Sequence, residues 1–144
     1  MALEFRKIEY HSKEYQQSLE LRERILRIPL GLRLTPQELM KDADDIHLGG
    51  FLGEQLVACL ILSKVAPQRM KMRQVAVDEN LQGKGVGTQL VRFSEQVARE
   101  CQITSFELSA RSTAVEFYLR QGYEVIGEPY SEQKIQHIKM TKSL

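Results

Sequence analysis

Val75-Ala76-Val77-Asp78-Glu79-Asn80-Leu81-Gln82-Gly83-Lys84-Gly85-Val86-Gly87-Thr88 runs from an apolar β-type segment, through three closely spaced glycines, into an amphipathic helix. A helix N-terminus offers backbone N–H groups without intrahelical partners and a partial positive charge, and both suit a phosphate. Glycines at 83, 85 and 87 let an anion approach the backbone with no Cβ in the way, and Lys84 adds a cation. Spacing excludes two other phosphate loops: there is no G-x-x-x-x-G-K-[ST], and the glycines do not fit G-x-G-x-x-G. A glycine-rich turn with no ligand is the plainer alternative, and the glycines alone do not decide between the two.

Downstream, Val86, Leu90, Phe93, Val97 and Cys101 form one apolar stripe at three- and four-residue steps. Arg92, Glu95, Arg99 and Glu100 fall on the side expected to face water. Residues 103–110 read as a strand and 113–121 as a helix stopped by Gly122, with strands over 123–127 and 135–140. Upstream, residues 70–77 read as a strand in which Met70, Met72, Gln74 and Ala76 alternate with Lys71, Arg73, Val75 and Val77. Residues 46–52 and 56–65 pair around the turn Gly53-Glu54-Gln55. Ahead of them come a strand near Phe5 to Tyr10 and a helix from Ser12, with Tyr15, Leu19, Leu21, Ile25 and Ile28 at helical spacing and Glu20, Arg22, Glu23 and Arg24 between. Pro29 and Gly31 end it. Thr35-Pro36-Gln37-Glu38 is a capping box opening a short second helix.

The resulting order is β-α-α-β-β-β-α-β-α-β-β. Its central strand–helix–strand passage requires a right-handed crossover and a parallel pair. The expectation is therefore an α/β (α+β) domain with a mixed, mostly antiparallel sheet. At 144 residues, 42% hydrophobic and 27% charged, the chain suits one domain over 1–144. The net charge of +1 argues against nucleic acid as the main partner. Cys59 and Cys101 each sit in an apolar pattern and read as reduced core residues, and no metal site is expected. No signal-type or membrane-length apolar run is present, and Lys142-Ser143-Leu144 has the wrong order for a peroxisomal signal, so the cytoplasm is the expected location.

Gln82-Gly83-Lys84-Gly85-Val86-Gly87 resembles the Q/R-x-x-G-x-G/A signature of the GNAT superfamily of acyl-CoA-dependent N-acyltransferases. Ala110-Arg111-Ser112-Thr113-Ala114-Val115-Glu116-Phe117-Tyr118-Leu119-Arg120-Gln121-Gly122-Tyr123 resembles a block of that family carrying its A-x-x-F-Y-x-x-x-G-[FY] element. The loop Ile28 to Leu32 and the ending His137-Ile138-Lys139-Met140 resemble uncharacterised bacterial-type members. The resemblance implies a GNAT-like sheet with a splayed parallel strand pair and helices on both faces, and transfer of an acetyl group from acetyl-CoA to a primary amine of a small molecule or peptide. It implies that the amides of Gln82, Gly83, Lys84, Gly85, Val86, Gly87 and Thr88 hold the pyrophosphate. The pantetheine arm would lie along Val75, Ala76 and Val77, with Ala114 and Phe117 also touching the cofactor. A backbone amide near Val75 to Val77 would polarise the thioester carbonyl, and Tyr118 would protonate the departing thiolate. Homodimers occur in this family.

The resemblance is incomplete in one respect. Some relatives carry a glutamate on the strand before the glycine loop, whereas here that strand holds Lys71 and Arg73 and no carboxylate. Glu107, Glu128, Glu132 and His137 stay open as general bases. Arg24, Arg27 and Arg33 flank the expected acceptor region and suit an anionic acceptor, or are solvated surface charges. The competing functional readings are a non-catalytic acyl-CoA-binding or sensor domain, a nucleotide-binding module, and a plain interaction domain.

Overall fold

Ser12 ends an extended segment and accepts the Tyr15 amide on its hydroxyl, and this cap starts the first helix. In the computed structural model, which describes residues 2–144, that helix (α1, Lys13–Leu26) follows strand β1 (Leu3–Ile8). Helix α2 (Pro36–Lys41) opens on the full capping box between Thr35 and Glu38. Strands β2 (Ile46–Leu52), β3 (Gln55–Ala66) and β4 (Arg69–Val77) form the meander. Helix α3 (Val86–Glu100), strand β5 (Ser105–Arg111), helix α4 (Val115–Leu119), and strands β6 (Glu124–Glu132) and β7 (Ile135–Ser143) complete the chain.

The seven strands lie in the order β1-β2-β3-β4-β5-β7-β6. Only β4 and β5 pair in parallel, with α3 as their crossover. Helix α1 covers one face, where Ile8, Tyr15, Leu21, Phe51, Leu56, Cys59 and Ala76 are buried together. Burial pushes the Cys59 thiol up to about 12, so it is a neutral core group. On the other face Leu90, Val91 and Val97 of α3 and Tyr118 of α4 pack on Leu60, Phe106, Leu108 and Met140. Each such side chain contributes roughly 1.5–3 kcal/mol on leaving water.

The strand that feeds the glycine loop does not alternate to its end. Cys59 pairs with Ala76 and Ile61 with Arg73, so Gln74 and Val75 together oppose Leu60. Gln74 takes a left-handed φ of 51°, and this bulge reverses which side chains face which helix. Met70 and Met72 belong to the α3-side core, but Ala76 belongs to the α1-side core. The uniform alternation expected over 70–77 is corrected accordingly. The bulge also ends the parallel pairing: Arg69–Met72 pair with Ser105–Leu108, and beyond them the two strands part.

Other expectations change where tertiary partners override the helical pattern. Glu95, placed on the wet side of α3, is 4% exposed. It accepts hydrogen bonds from Tyr123 Oη at 2.9 Å and Lys142 Nζ at 3.0 Å, which compensate a buried carboxylate. Arg22 is wholly buried rather than between apolar positions at the surface. Cys101 is exposed because α3 ends at Glu100 and the chain leaves helical geometry there. Helix α4 is shorter than expected because Ser112–Ala114 form a 3₁₀ turn before it. Strands β6 and β7 each run several residues further than their apolar cores, because β6 pairs with β7 out to Glu132 and β7 pairs with β5 out to Ser143. No described helix is long and apolar enough to cross a membrane.

Candidate active site

Where β4 and β5 separate, a cleft of about 840 Å³ opens between them, lined by Gln74, Val75, Leu108, Ala110, Ala114 and Tyr118 on the fork itself. Helix α2 with the turn after it supplies one wall, and the β6–β7 hairpin supplies another. The backbone of β4 beyond Met72 pairs with β3 on one edge and has no β5 partner on the other. That edge therefore offers peptide groups to an extended ligand.

At the end of β4 the loop is built to a defined shape. The Asp78 amide donates to the Val57 carbonyl at 2.8 Å, and the Asp78 carboxylate accepts the Asn80 amide at 2.9 Å. Arg24 of α1 reaches Asp78 at 3.3 Å and Glu79 at 3.0 Å, tying the loop to the opposite face of the sheet. Gln82 donates its side-chain amide to the Val77 carbonyl at 3.0 Å. Gly83 and Gly85 have φ of 78° and 83°, a region costly for residues with a Cβ. The Gln89 amide donates to the Gly85 carbonyl at 3.1 Å, leaving the amides ahead of it without a helical partner. A Cβ on Gly83 would meet nothing within 4 Å, so the loop faces open space at that point. Gly87 has a different reason: a Cβ there would stand 3.2 Å from Phe117 and 3.6 Å from Val77. It allows α3 and α4 to touch.

Tyr118 is 7% exposed and lies against Phe117 and Tyr123, with ring centroids at 4.9 and 5.6 Å. Its hydroxyl has no hydrogen-bond partner among the described residues and is not sealed from the cleft. Burial raises the phenol well above its ordinary range, so it stays protonated. Val75, Ala114 and Tyr118 thus meet in the cleft, while Val77 and Phe117 meet at Gly87. The side chains of Ala76 and Val86 point into the two cores, so only their backbones can face a ligand. Gln82, Lys84 and Gly85 are exposed and Thr88 is half-buried.

Of the candidate bases, Glu107 is held between Arg69 and Lys139, each at 3.5 Å, and does not line the cleft; Glu128 does not line it either. Glu132 lines its exposed rim. His137 also lines it and is 7% exposed. Its Nδ1 lies 3.1 Å from the Ile135 carbonyl, which can only accept, so Nδ1 is the donor there and Nε2 has no hydrogen-bond partner among the described residues.

The three arginines flanking the loop after α1 separate. Arg24 and Arg33 are exposed and paired with acids, Arg33 with Glu23 at 3.7 Å. Arg27 is 7% exposed, lines the cleft and binds Glu38 at 2.7 Å. Burial opposes the Glu38 charge, but the Arg27 bond and the Thr35 bonds outweigh it and hold the carboxyl below its ordinary range. Gln74 and Arg111 are among the cleft residues that carried no assigned role from sequence. Gln74 sits at the bulge, for which a non-glycine residue gives no signal. Arg111 ends β5, three residues ahead of the A-x-x-F-Y element, which does not specify that position.

These elements are shared with known proteins. The sequence profile of the acetyltransferase (GNAT) domain matches residues 37–144. The uncharacterised protein YyaT of Bacillus subtilis is 24% identical over 129 residues, covering 83% of this chain and 86% of its own. A candidate N-acetyltransferase from Lactobacillus plantarum superimposes with a TM-score of 0.88 at 22% identity, over 100% of this chain and 99% of that one. A Bacillus subtilis acetyltransferase solved in complex with CoA superimposes with a TM-score of 0.74 at 19% identity, over 99% of each chain. The profile match, together with the forked sheet and the loop it feeds, shows that the chain belongs to the GNAT acetyltransferase family.

Proposed function

We propose that this protein transfers the acetyl group of acetyl-CoA to a primary amine of a small molecule or peptide. The observation that carries the reading is the buried Tyr118 side chain beside the fork between β4 and β5, whose hydroxyl has no partner among the described residues and is open to the cleft. Amides of Gln82 to Thr88 bind the pyrophosphate, with Lys84 adding charge at the rim. Val75, Ala76 and Val77 present the free edge of β4 to the pantetheine arm, and Ala114 and Phe117 border it. A β4 amide near Val75 to Val77 stabilises the charge that develops on the thioester oxygen. The amine nitrogen attacks the carbonyl carbon, the carbon–sulfur bond breaks, and Tyr118 gives its proton to the sulfur. His137 Nε2, at the far wall of the cleft, takes the proton that the amine loses. Of the four candidate bases it alone combines burial, a free ring nitrogen and a place in the cleft.

Release of CoA from acetyl-CoA in the presence of an amine panel tests this reading directly. Tyr118→Phe is expected to keep acetyl-CoA affinity and lose roughly 10²-fold or more in turnover, the scale of a lost general acid. Equal turnover removes Tyr118 from the chemistry. Acetyl-CoA binding without turnover of any amine favours a non-catalytic acyl-CoA sensor, a reading kept open by the absence of a carboxylate on β4.

The pH profile follows from the direction of the Tyr118 shift. Burial raises its pKa, so the proton-donating form persists above the ordinary tyrosine value of about 10. Turnover is expected to rise with pH as the amine loses its proton, with no fall from Tyr118 below about pH 10. A fall near pH 8 that disappears in Tyr118→Phe contradicts this environment.

A further inference from the structure

The charges lining the cleft are unevenly matched. Arg27 is neutralised by Glu38 and Arg73 by Asp45, each pair at 2.7 Å. Lys41, Asp44 and Glu132 lie on the exposed rim, where water screens them, and Lys71 is half-buried with no carboxylate partner among the described residues. Arg111 is half-buried and has no carboxylate partner among the described residues; Nη2 donates to the Leu26 carbonyl at 2.8 Å. Arg27 Nη1 donates to that same carbonyl at 3.3 Å, so the two guanidiniums are neighbours. Arg27 also leaves its Nε buried with no partner. Two adjacent cations therefore share one carboxylate and the carbonyl end of α1. Burial first, then the Arg27 charge, lowers the Arg111 pKa, the direction expected of a cation lacking its counter-ion.

We propose that Arg111, backed by Arg27, is an anion site at the acceptor end of the cleft, and that the acceptor is a small amine bearing a carboxylate, as a free amino acid does. The inference rests on the acetyl-transfer reading. Arg111 ends β5, opposite His137 in register and within the same cleft as Tyr118, so a molecule held there by its anion keeps its amine close to the reacting groups. A guanidinium matches a carboxylate with parallel N–H donors. Desolvation by the cleft walls strengthens the pair relative to one at the surface.

The test measures kcat/KM with acetyl-CoA for each common amino acid as the free acid and as its carboxamide. Free acids are expected to be preferred roughly 10- to 100-fold, the range for a charged hydrogen-bonded pair. Arg111→Gln is expected to bring that preference near unity with acetyl-CoA affinity unchanged, and Arg111→Lys to retain part of it. Carboxamides used as well as acids overturn the proposal, as does a preference that survives Arg111→Gln. Reduced acetyl-CoA affinity in Arg111→Gln with the acid preference intact assigns Arg111 to the cofactor and also overturns it. Calorimetric titration with N-acetyl amino acids and their carboxamides reads the site without turnover. If wild-type protein binds no acetyl-CoA, the transfer reading fails. Discrimination between those two ligand sets then upholds the anion site, and equal binding overturns it. Melting curves of both variants confirm that each measurement is made on folded protein.

Discussion

Gly85→Glu is expected to abolish measurable acetyl-CoA binding and to leave the protein folded. Gly85 is the N-cap of α3 with φ of 83°, so a side chain there carries a strain of about 1 kcal/mol. It has room, since its nearest neighbour would be Gln89 Nε2 at 4.0 Å. The new carboxylate would stand among the amides assigned to the pyrophosphate. It competes for the same donors and repels the phosphates through little intervening water. Loss of affinity by at least about 10²-fold is expected, because both the helix N-terminus and the local charge are reversed in effect. Calorimetric titration of wild type and variant with acetyl-CoA, with a melting curve for each, decides it. Unchanged affinity in a folded variant removes the loop from the cofactor site.

Arg22→Met is the second large effect, and it falls on stability. Arg22 and Asp42 have side chains 1% and 0% exposed, joined at 2.8 Å. Asp42 also accepts Tyr15 Oη at 2.6 Å, and its backbone carbonyl lies 2.8 Å from His47 Nε2. Burial, then the hydrogen bond to Asp42, raises the Tyr15 phenol out of its ordinary range, so it remains the donor. Removing the guanidinium leaves a carboxylate in the core with one neutral donor. The cost is about 3–5 kcal/mol, or roughly a 10–20 °C fall in Tm. Replacing both partners, Arg22→Met with Asp42→Leu, should recover much of this, because the loss comes from the orphaned charge. A single variant as stable as wild type contradicts the buried pair.

The same arginine links stability to the site. Its Nε donates to Gln74 Oε1 at 2.6 Å, and Gln74 is the residue whose left-handed backbone forms the bulge. Arg22 thus holds, through one side chain, the point at which β4 turns away from β5. A double variant that regains its Tm should still bind acetyl-CoA more weakly than wild type, because apolar replacements leave Gln74 without its anchor.

The local rules read correctly at the elements whose signals are carried by adjacent residues. The Thr35–Glu38 capping box forms with both of its bonds, Ser12 caps α1, and the stripe from Val86 to Val97 faces the core. The crossover between β4 and β5 is parallel because the helix joining them leaves no alternative. The two motif blocks also meet, with Phe117 against Gly87 and Tyr118 in the fork. Legibility stops where a residue's partner is distant in sequence. Glu95 reads as a wet position until Tyr123 and Lys142 reach it, and Arg22 reads likewise until Asp42 and Gln74 enclose it. Arg111 carries no local signal of being a cation without a counter-ion, since that depends on which acids Arg27 and Arg73 have already taken.

The sequence by itself determined the order of elements, the glycine loop at the start of α3 and Tyr118 behind it, because periodicity, caps and motif spacing are properties of neighbouring residues. Tertiary structure alone decided that β4 bulges at Gln74, that the fork becomes a cleft, and that Arg111 is half-buried in it without a carboxylate partner. Those depend on pairing register and burial, in which residues up to 85 positions apart, as Leu26 and Arg111 are, compete for the same hydrogen bonds.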